Sequence, residues 1–497
     1  MTPGWRLAPV VRKEVRALLP AWIACLVALA AAAAADDPRM VAAGVFAYAF
    51  GSVGLGAQSL GHEYAHRTLG VLLAQPCDRR RIFATKLAVL AAMLGVLAAF
   101  AYGAFSSSDV LGWSYRVMLY LILLPACCGL LLAPWLTMVG RSALAGLVFT
   151  LAIPGATLVV CEAIGAVKYG AASAEVDVFR LAVWPNTVLA LCAFAAIFGW
   201  HRFMRLEAID GTGAEIHLTR WFAGGRERAG HPIWRLVQKE FHLQQLTLVL
   251  VGVYVAGWAA VSALKYVMPE FREFPIVPAT MLYLALLAIL MGSLASAEER
   301  QFGTLEWQIL LPVAAWQQWL VKAGTVLALA FAFGIGLPAL LIYFDPSAIE
   351  FRDALAVWRQ TTIMIVLLTT GSLYVSSLST SGLRALVVSF PALFGTAVLF
   401  TWTMNFVWWT FARLVLDPAG PRLSVRGQRS LPAAAYEAIV LALIGGFVLL
   451  LIVLGFQNHR STDRPLKRVL PQIACIAAFL AAGVMVWAGV LVWSYSR

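Results

Sequence analysis

Residues 61 to 70 read GHEYAHRTLG, and within them His62-Glu63-Tyr64-Ala65-His66 has the spacing H-E-x-x-H. On a helix that spacing puts two imidazoles on one face, where they can ligate zinc with the glutamate placed to activate a bound water. The chemistry would be metal-assisted hydrolysis. A third protein ligand would be needed nearby, yet His201, His217, His231, His242 and His459 all lie in or beside polar segments elsewhere.

The elements that would position these residues belong to a membrane protein. The chain has 497 residues, of which 61% are hydrophobic and 12% charged, and its mean hydropathy is +0.82. Apolar runs of about 20 residues recur along its whole length, the length a helix needs to cross a bilayer. The net charge of +12 does not point to nucleic acid, because the basic residues fall in alternate loops. Arg6, Arg12, Lys13 and Arg16 precede the first run, Arg67 and Arg79 to Arg81 follow the second, and Arg202, Arg205, Arg220, Arg226 and Arg228 crowd the middle. By the positive-inside rule these segments and the N-terminus are expected in the cytoplasm. The intervening loops carry Asp36, Asp37, Asp109, Glu175, Asp177, Glu270, Glu273, Asp345 and Glu350 and are expected outside. Six cysteines sit within apolar runs and Cys77 in a basic loop, so no disulfide framework or C-x-x-C zinc pattern is expected. The first apolar run follows a charged amphipathic segment and reads as a retained span, not a cleaved signal.

Spans are expected near 18–35, 40–61, 82–105, 117–139, 142–165 and 180–202, then near 246–266, 276–297, 319–344, 360–379, 384–408, 436–456 and 470–494. That gives an all-α polytopic protein of about 12–13 transmembrane helices, arranged as two six-helix units with an extra C-terminal helix. The expected division is 1–215 and 216–497, across the polar stretch MRLEAIDGTGAEIHLTRWFAGGRERAGHP. An internal repeat supports the division. EYAHRTLGVLLAQPCDRRRIFATK, from Glu63 to Lys86, aligns without gaps with ERQFGTLEWQILLPVAAWQQWLVK, from Glu299 to Lys322. Glu63 pairs with Glu299, Thr68-Leu69 with Thr304-Leu305, Leu73 with Ile309, Pro76 with Pro312, and Lys86 with Lys322. Upstream, WRLAPVVRKEVRALLP and WRLVQKEFHLQQL each carry a Lys-Glu pair before the first span of their half. Leu7, Val11, Val15 and Leu18 share one helical face, as do Trp234, Val237 and Phe241, so each half is expected to open with an amphipathic helix along the inner membrane surface.

The second copy bears on the zinc reading, since it has Glu298 and Phe302 where the first has His62 and His66. Glu63 belongs to the repeated pattern and the histidines do not. Ile209-Asp210-Gly211 is loosely similar to the aspartate motif of intramembrane zinc proteases, but it sits in a charged linker. The other reading of His62 and His66 is a helix end at the cytoplasmic interface.

The pattern of Glu, Thr-Leu, Pro and Lys after a second span, clearest in EERQFGTLEWQILLPVAAWQQWLVK, resembles the type-two ABC transporter permeases, the membrane subunits of many bacterial exporters. The resemblance spans the chain through the two six-span units, although its specific motif is confined to the two loops and the amphipathic segments before them. It implies a permease with both halves fused, in a bacterial inner membrane, moving a small hydrophobic or amphipathic substrate. It also implies that each loop forms a coupling helix against a cytosolic ABC ATPase, expected as two copies. The coupling residues it implies are Glu63, Arg67, Thr68, Leu69, Pro76, Arg79 and Arg80 in the first half, and Glu299, Gly303, Thr304, Leu305 and Pro312 in the second. Arg67 departs from the family's glycine, which Gly303 keeps. The chain has no G-x-x-x-x-G-K-[ST] phosphate loop. No cofactor or metal is expected on it, no enzymatic activity of its own, and ATP and Mg are expected in the partner.

Arg79 to Arg81 suit either an acidic protein groove or anionic headgroups, and Lys86 and Lys322 are expected to snorkel to the interface. Glu162 is expected to have a structural or interfacial role. TWTMNFVWWTFARLVL, from Thr401 to Leu416, reads as an outer aromatic belt, or by the resemblance as a short re-entrant helix. The last span has no partner in the first half. Two alternatives remain: an intramembrane zinc metalloprotease built on His62 and His66, and a secondary transporter, which the scarcity of intramembrane charge disfavours.

Overall fold

The computed structural model describes residues 7–34, 38–65, 68–74, 77–106, 114–169, 174–206, 232–267, 276–303, 313–344, 355–393, 395–397, 400, 403, 433–461 and 466–495. In chain order the helices are α1 (Leu7–Ala33), α2 (Pro38–Ala65), α3 (Leu69–Leu73), α4 (Arg79–Ser106), α5 (Tyr115–Cys127), α6 (Ala133–Gly140), α7 (Ala143–Tyr169) and α8 (Ala174–Met204). There follow α9 (Pro232–Leu243), α10 (Gln245–Val267), α11 (Ile276–Phe302), α12 (Ala315–Phe331), α13 (Leu337–Phe344), α14 (Leu355–Leu378), α15 (Ala433–His459) and α16 (Leu466–Tyr495). A shorter apolar helix, Gly382–Ala397, lies between α14 and α15. Eleven helices among the described residues are long and apolar enough to cross a membrane. The chain is an all-α multi-pass membrane protein, as its composition requires, because in lipid a helix satisfies every backbone donor and acceptor within itself.

Of the expected spans, 40–61 becomes α2, a helix of span length that is not among those eleven, while 384–408 falls only partly within the described residues. The amphipathic start of the first half is not a separate helix as expected: α1 runs unbroken from Leu7 through Pro20 to Ala33. In the second half α9 and α10 are parted at Gln244, whose side chain donates to the Met291 carbonyl oxygen at 2.9 Å. Two spans pass through one π-helical turn, Cys128–Leu132 joining α5 to α6 and Ala332–Gly336 joining α12 to α13. Each turn lies just before a proline, Pro134 and Pro338. A proline ring clashes with the carbonyl four residues earlier, and a wider turn relieves it.

Three helices form the interior. Along α11 the apolar window is 78% buried and along α14 61%, against 11% along α16, and α2 is buried almost continuously from Ala47 to Gly61. Small residues let their backbones approach one another. A Cβ at Gly56 would lie 1.8 Å from the Gly129 carbonyl oxygen, and one at Gly292 would lie 2.0 Å from Ser372 Oγ. The two halves meet where Phe46 and Phe50 of α2 pack on Phe390, with ring centroids 4.9 and 4.6 Å apart.

The last span, for which the repeat offers no counterpart, is held by a buried polar network. Gln472 of α16 donates to Asn458 Oδ1 at 2.8 Å, and its own Oε1 accepts from Asn458 Nδ2 at 3.2 Å and from the Tyr374 hydroxyl at 3.1 Å. Such amides stay in an apolar bundle because each is satisfied. Glu162 is paired with Arg180 at 2.7 Å, which ties α7 to α8. The aromatic run from Thr401 to Leu416 lies almost entirely outside the described residues.

Candidate functional site

The coupling residues expected from the sequence lead to two clusters of buried charge. In the first half α1 supplies Lys13 and Glu14, the end of α2 supplies His62 and Glu63, and α4 supplies Lys86. Lys86 Nζ lies 2.7 Å from Glu14 Oε1 and 3.1 Å from Glu63 Oε1. Lys13 Nζ lies 2.9 Å from Glu63 Oε1 and His62 Nε2 lies 3.1 Å from it. Thr68 closes the group by donating its hydroxyl to Glu63 Oε2, while its backbone N–H donates to the Glu63 carbonyl oxygen at 3.0 Å. Glu63 is wholly buried, with donors on every side.

The second half repeats the two lysines and two glutamates of this group at the aligned positions. Lys322 of α12 lies 2.5 Å from Glu299 of α11 and 3.3 Å from Glu240 of α9, and Lys239 is also paired with Glu299. Even the lysine's third bond recurs, Lys86 donating to the Ser59 carbonyl oxygen at 3.3 Å and Lys322 to that of Ala295 at 2.6 Å. Lys86 and Lys322 therefore do not snorkel to the interface as expected: their side chains are 3% and 0% exposed. The physical reason is that each ammonium has two carboxylates and a carbonyl inside the bundle, so reaching water would gain it nothing.

The recurring Lys-Glu pair ahead of each first span was visible in the sequence, but it read only as the polar face of an amphipathic helix. Its recurrence at matched positions was the available signal that Lys13, Glu14, Lys239 and Glu240 belong to the site.

The remaining expected residues divide. Leu69 begins α3 and packs with the cluster of Leu60, Leu72, Ile82 and Phe83. Arg79 turns inward and donates to the carbonyl oxygens of Met204 at 3.0 Å and Leu206 at 2.8 Å, where a cation suits the C-terminus of α8. Arg300 does the same for α15, donating to the Asn458 carbonyl oxygen at 2.9 Å. Arg80 is exposed. Gly303 ends α11 with φ +68°, the left-handed conformation that favours glycine. Arg67, Pro76, Thr304, Leu305, Pro312 and His66 lie outside the described residues.

Burial pushes the Glu240 carboxyl up to about 7, Lys322 and Lys239 lowering it and the charge of Glu299 raising it further. A carboxyl raised on folding contributes stability that is complete below its unfolded value near 4.5 and is lost as pH rises through about 7. The thermal midpoint of the detergent-solubilised protein is therefore expected to decline between pH 5 and 8. Glu240→Gln should flatten that slope, and an equal slope in the variant would show that another group is responsible.

Ligand atoms of Glu14, His62 and Glu63 lie within 4.8 Å of one another, close enough to hold a cation. Lys86 already bonds both carboxylates, so a metal ion would have to displace its ammonium. No known family model matches the chain, and no curated protein matches it.

Proposed function

We propose that the chain is the fused double permease of an ATP-driven exporter, two six-helix units and a C-terminal helix in a bacterial inner membrane, with its N-terminus in the cytoplasm. The observation that carries this reading is the duplicated charge cluster. In each half it ties the end of the second span to the segment before the first and to the third span, and in the first half it reaches the following loop through Thr68. Truncating one partner of a buried ion pair costs about 3–5 kcal/mol, so each joint is stiff. A push on the loop from a closing ATPase would be passed to two membrane helices together, not absorbed by the loop.

ATP and Mg would be bound by two copies of a cytosolic ATPase, and the cargo would be hydrophobic or amphipathic. The helix α3 supplies a docking surface in the first half, with Val71 69% exposed at its centre. Purification from native membranes in mild detergent is expected to bring down an ATPase near two copies per chain. Val71→Asp, which touches none of the buried charges, should reduce its recovery several-fold while leaving the elution profile of the chain unchanged. Recovery of about one zinc per chain and no ATPase would overturn the proposal in favour of hydrolysis at His62, Glu63 and His66.

A further inference from the structure

We propose that the first half carries a site for the headgroup of an anionic phospholipid, formed by Arg12 and Arg16 of α1 and Arg80 and Arg81 of α4, and that the second half lacks it. The inference does not depend on the transport reading. It begins from the way α1 and α4 pack. Glu14 meets Lys86 at 2.7 Å and, further along, Trp22 Nε1 donates to the Met93 carbonyl oxygen at 2.9 Å, so the two helices run parallel in nearly constant register. With a rise of about 1.5 Å per residue, Arg12 stands about 5 Å beyond the level of Arg81 and Arg16 about 6 Å further. Four guanidiniums thus occupy two adjoining helices within a few turns.

All four side chains are exposed, and among the described residues none makes an ion pair or side-chain hydrogen bond. The acids nearest in sequence are engaged elsewhere: Glu14 pairs with Lys86 at 2.7 Å, and Asp78 accepts from the Arg80 backbone N–H at 3.1 Å and so caps α4. Arginines in the first turn of a helix stand against its dipole. Arg79 escapes that by bonding the end of α8, whereas Arg80 and Arg81 have no such outlet. An external anion would relieve both.

The depth of the four arginines identifies the anion. The candidate spans include Val11–Ala33 and Arg79–Ser106, with the arginines in their first two turns and the apolar stretches following, so these guanidiniums stand at the ends of the spans, where lipid headgroups are met. Arginine is suited to phosphate by its planar fork of donors. A protein docking on the loop would meet α3 instead. In the second half the positions aligned through the Lys-Glu pair and the loop motif are Gln238, His242, Trp316 and Gln317. Arg235 is a single exposed cation on α9 there, so the contrast between the halves is one of charge on an otherwise similar frame.

The test is to reconstitute the full chain in vesicles of equal phosphatidylglycerol and phosphatidylcholine, extract it gently, and count retained lipids by native mass spectrometry. The wild type is expected to retain phosphatidylglycerol preferentially, with the preference falling by about fivefold for each arginine changed to glutamine. Carrying Gln238→Arg and Gln317→Arg together should raise it. Equal retention of the two lipids by the wild type, or an undiminished preference when all four arginines are glutamine, would overturn the proposal. So would retention of an acidic cytosolic protein through these arginines without any lipid preference, which would assign the surface to a protein partner.

Discussion

Lys322→Met is expected to destabilise the protein by about 3–5 kcal/mol, the loss seen when one member of a buried ion pair is removed. The ammonium is completely enclosed and stands between Glu240 and Glu299, themselves nearly or wholly buried. Methionine fills much the same volume, so the effect would come from charge, leaving Glu240 without its near cation and removing one cation from Glu299. Lys86→Met is expected to destabilise for the same reason, since it strands the buried Glu14 even though Glu63 keeps Lys13, His62 and Thr68. Thermal unfolding in detergent, followed by loss of the monodisperse elution peak, measures both. Adding Glu240→Gln to Lys322→Met should recover part of the loss at alkaline pH, where Glu240 would otherwise carry a stranded charge. An unchanged midpoint in Lys322→Met would mean that the cluster holds nothing together.

Gly56→Val is expected to be as severe, for a reason unrelated to charge. A Cβ at Gly56 would stand 1.8 Å from the carbonyl oxygen of Gly129, and one at Gly129 would stand 2.3 Å from that of Ser52. Backbone faces backbone where α2 crosses the π-helical turn between α5 and α6, so no side chain can rotate away. Overpacking commonly costs about 1–3 kcal/mol where side chains can adjust, and at least the upper end is expected here. Gly95→Val is the control, because a Cβ there meets nothing within 4 Å. Equal expression and thermal midpoints for the two variants would remove the argument that α2 is held by close backbone contact.

The membrane class, the α-helical content and the approximate position of nearly every span were legible in the sequence, because hydrophobic length is a local property that the bilayer enforces. So was the repeated loop, whose Glu, Thr-Leu, Pro and Lys recur without a gap. What Lys86 and Lys322 do was not legible. Whether a lysine near the end of a span reaches for water or turns inward depends on whether carboxylates wait inside. Those come from α1 and α2, or from α9 and α11, far away in the chain. For the same reason Arg79 could not be separated from Arg80 until α8 was seen to end beside it. Spacing along the chain determined which residues recur. Tertiary structure alone decided which of them are buried together, because burial of a charge is set by partners that hydropathy and periodicity do not encode.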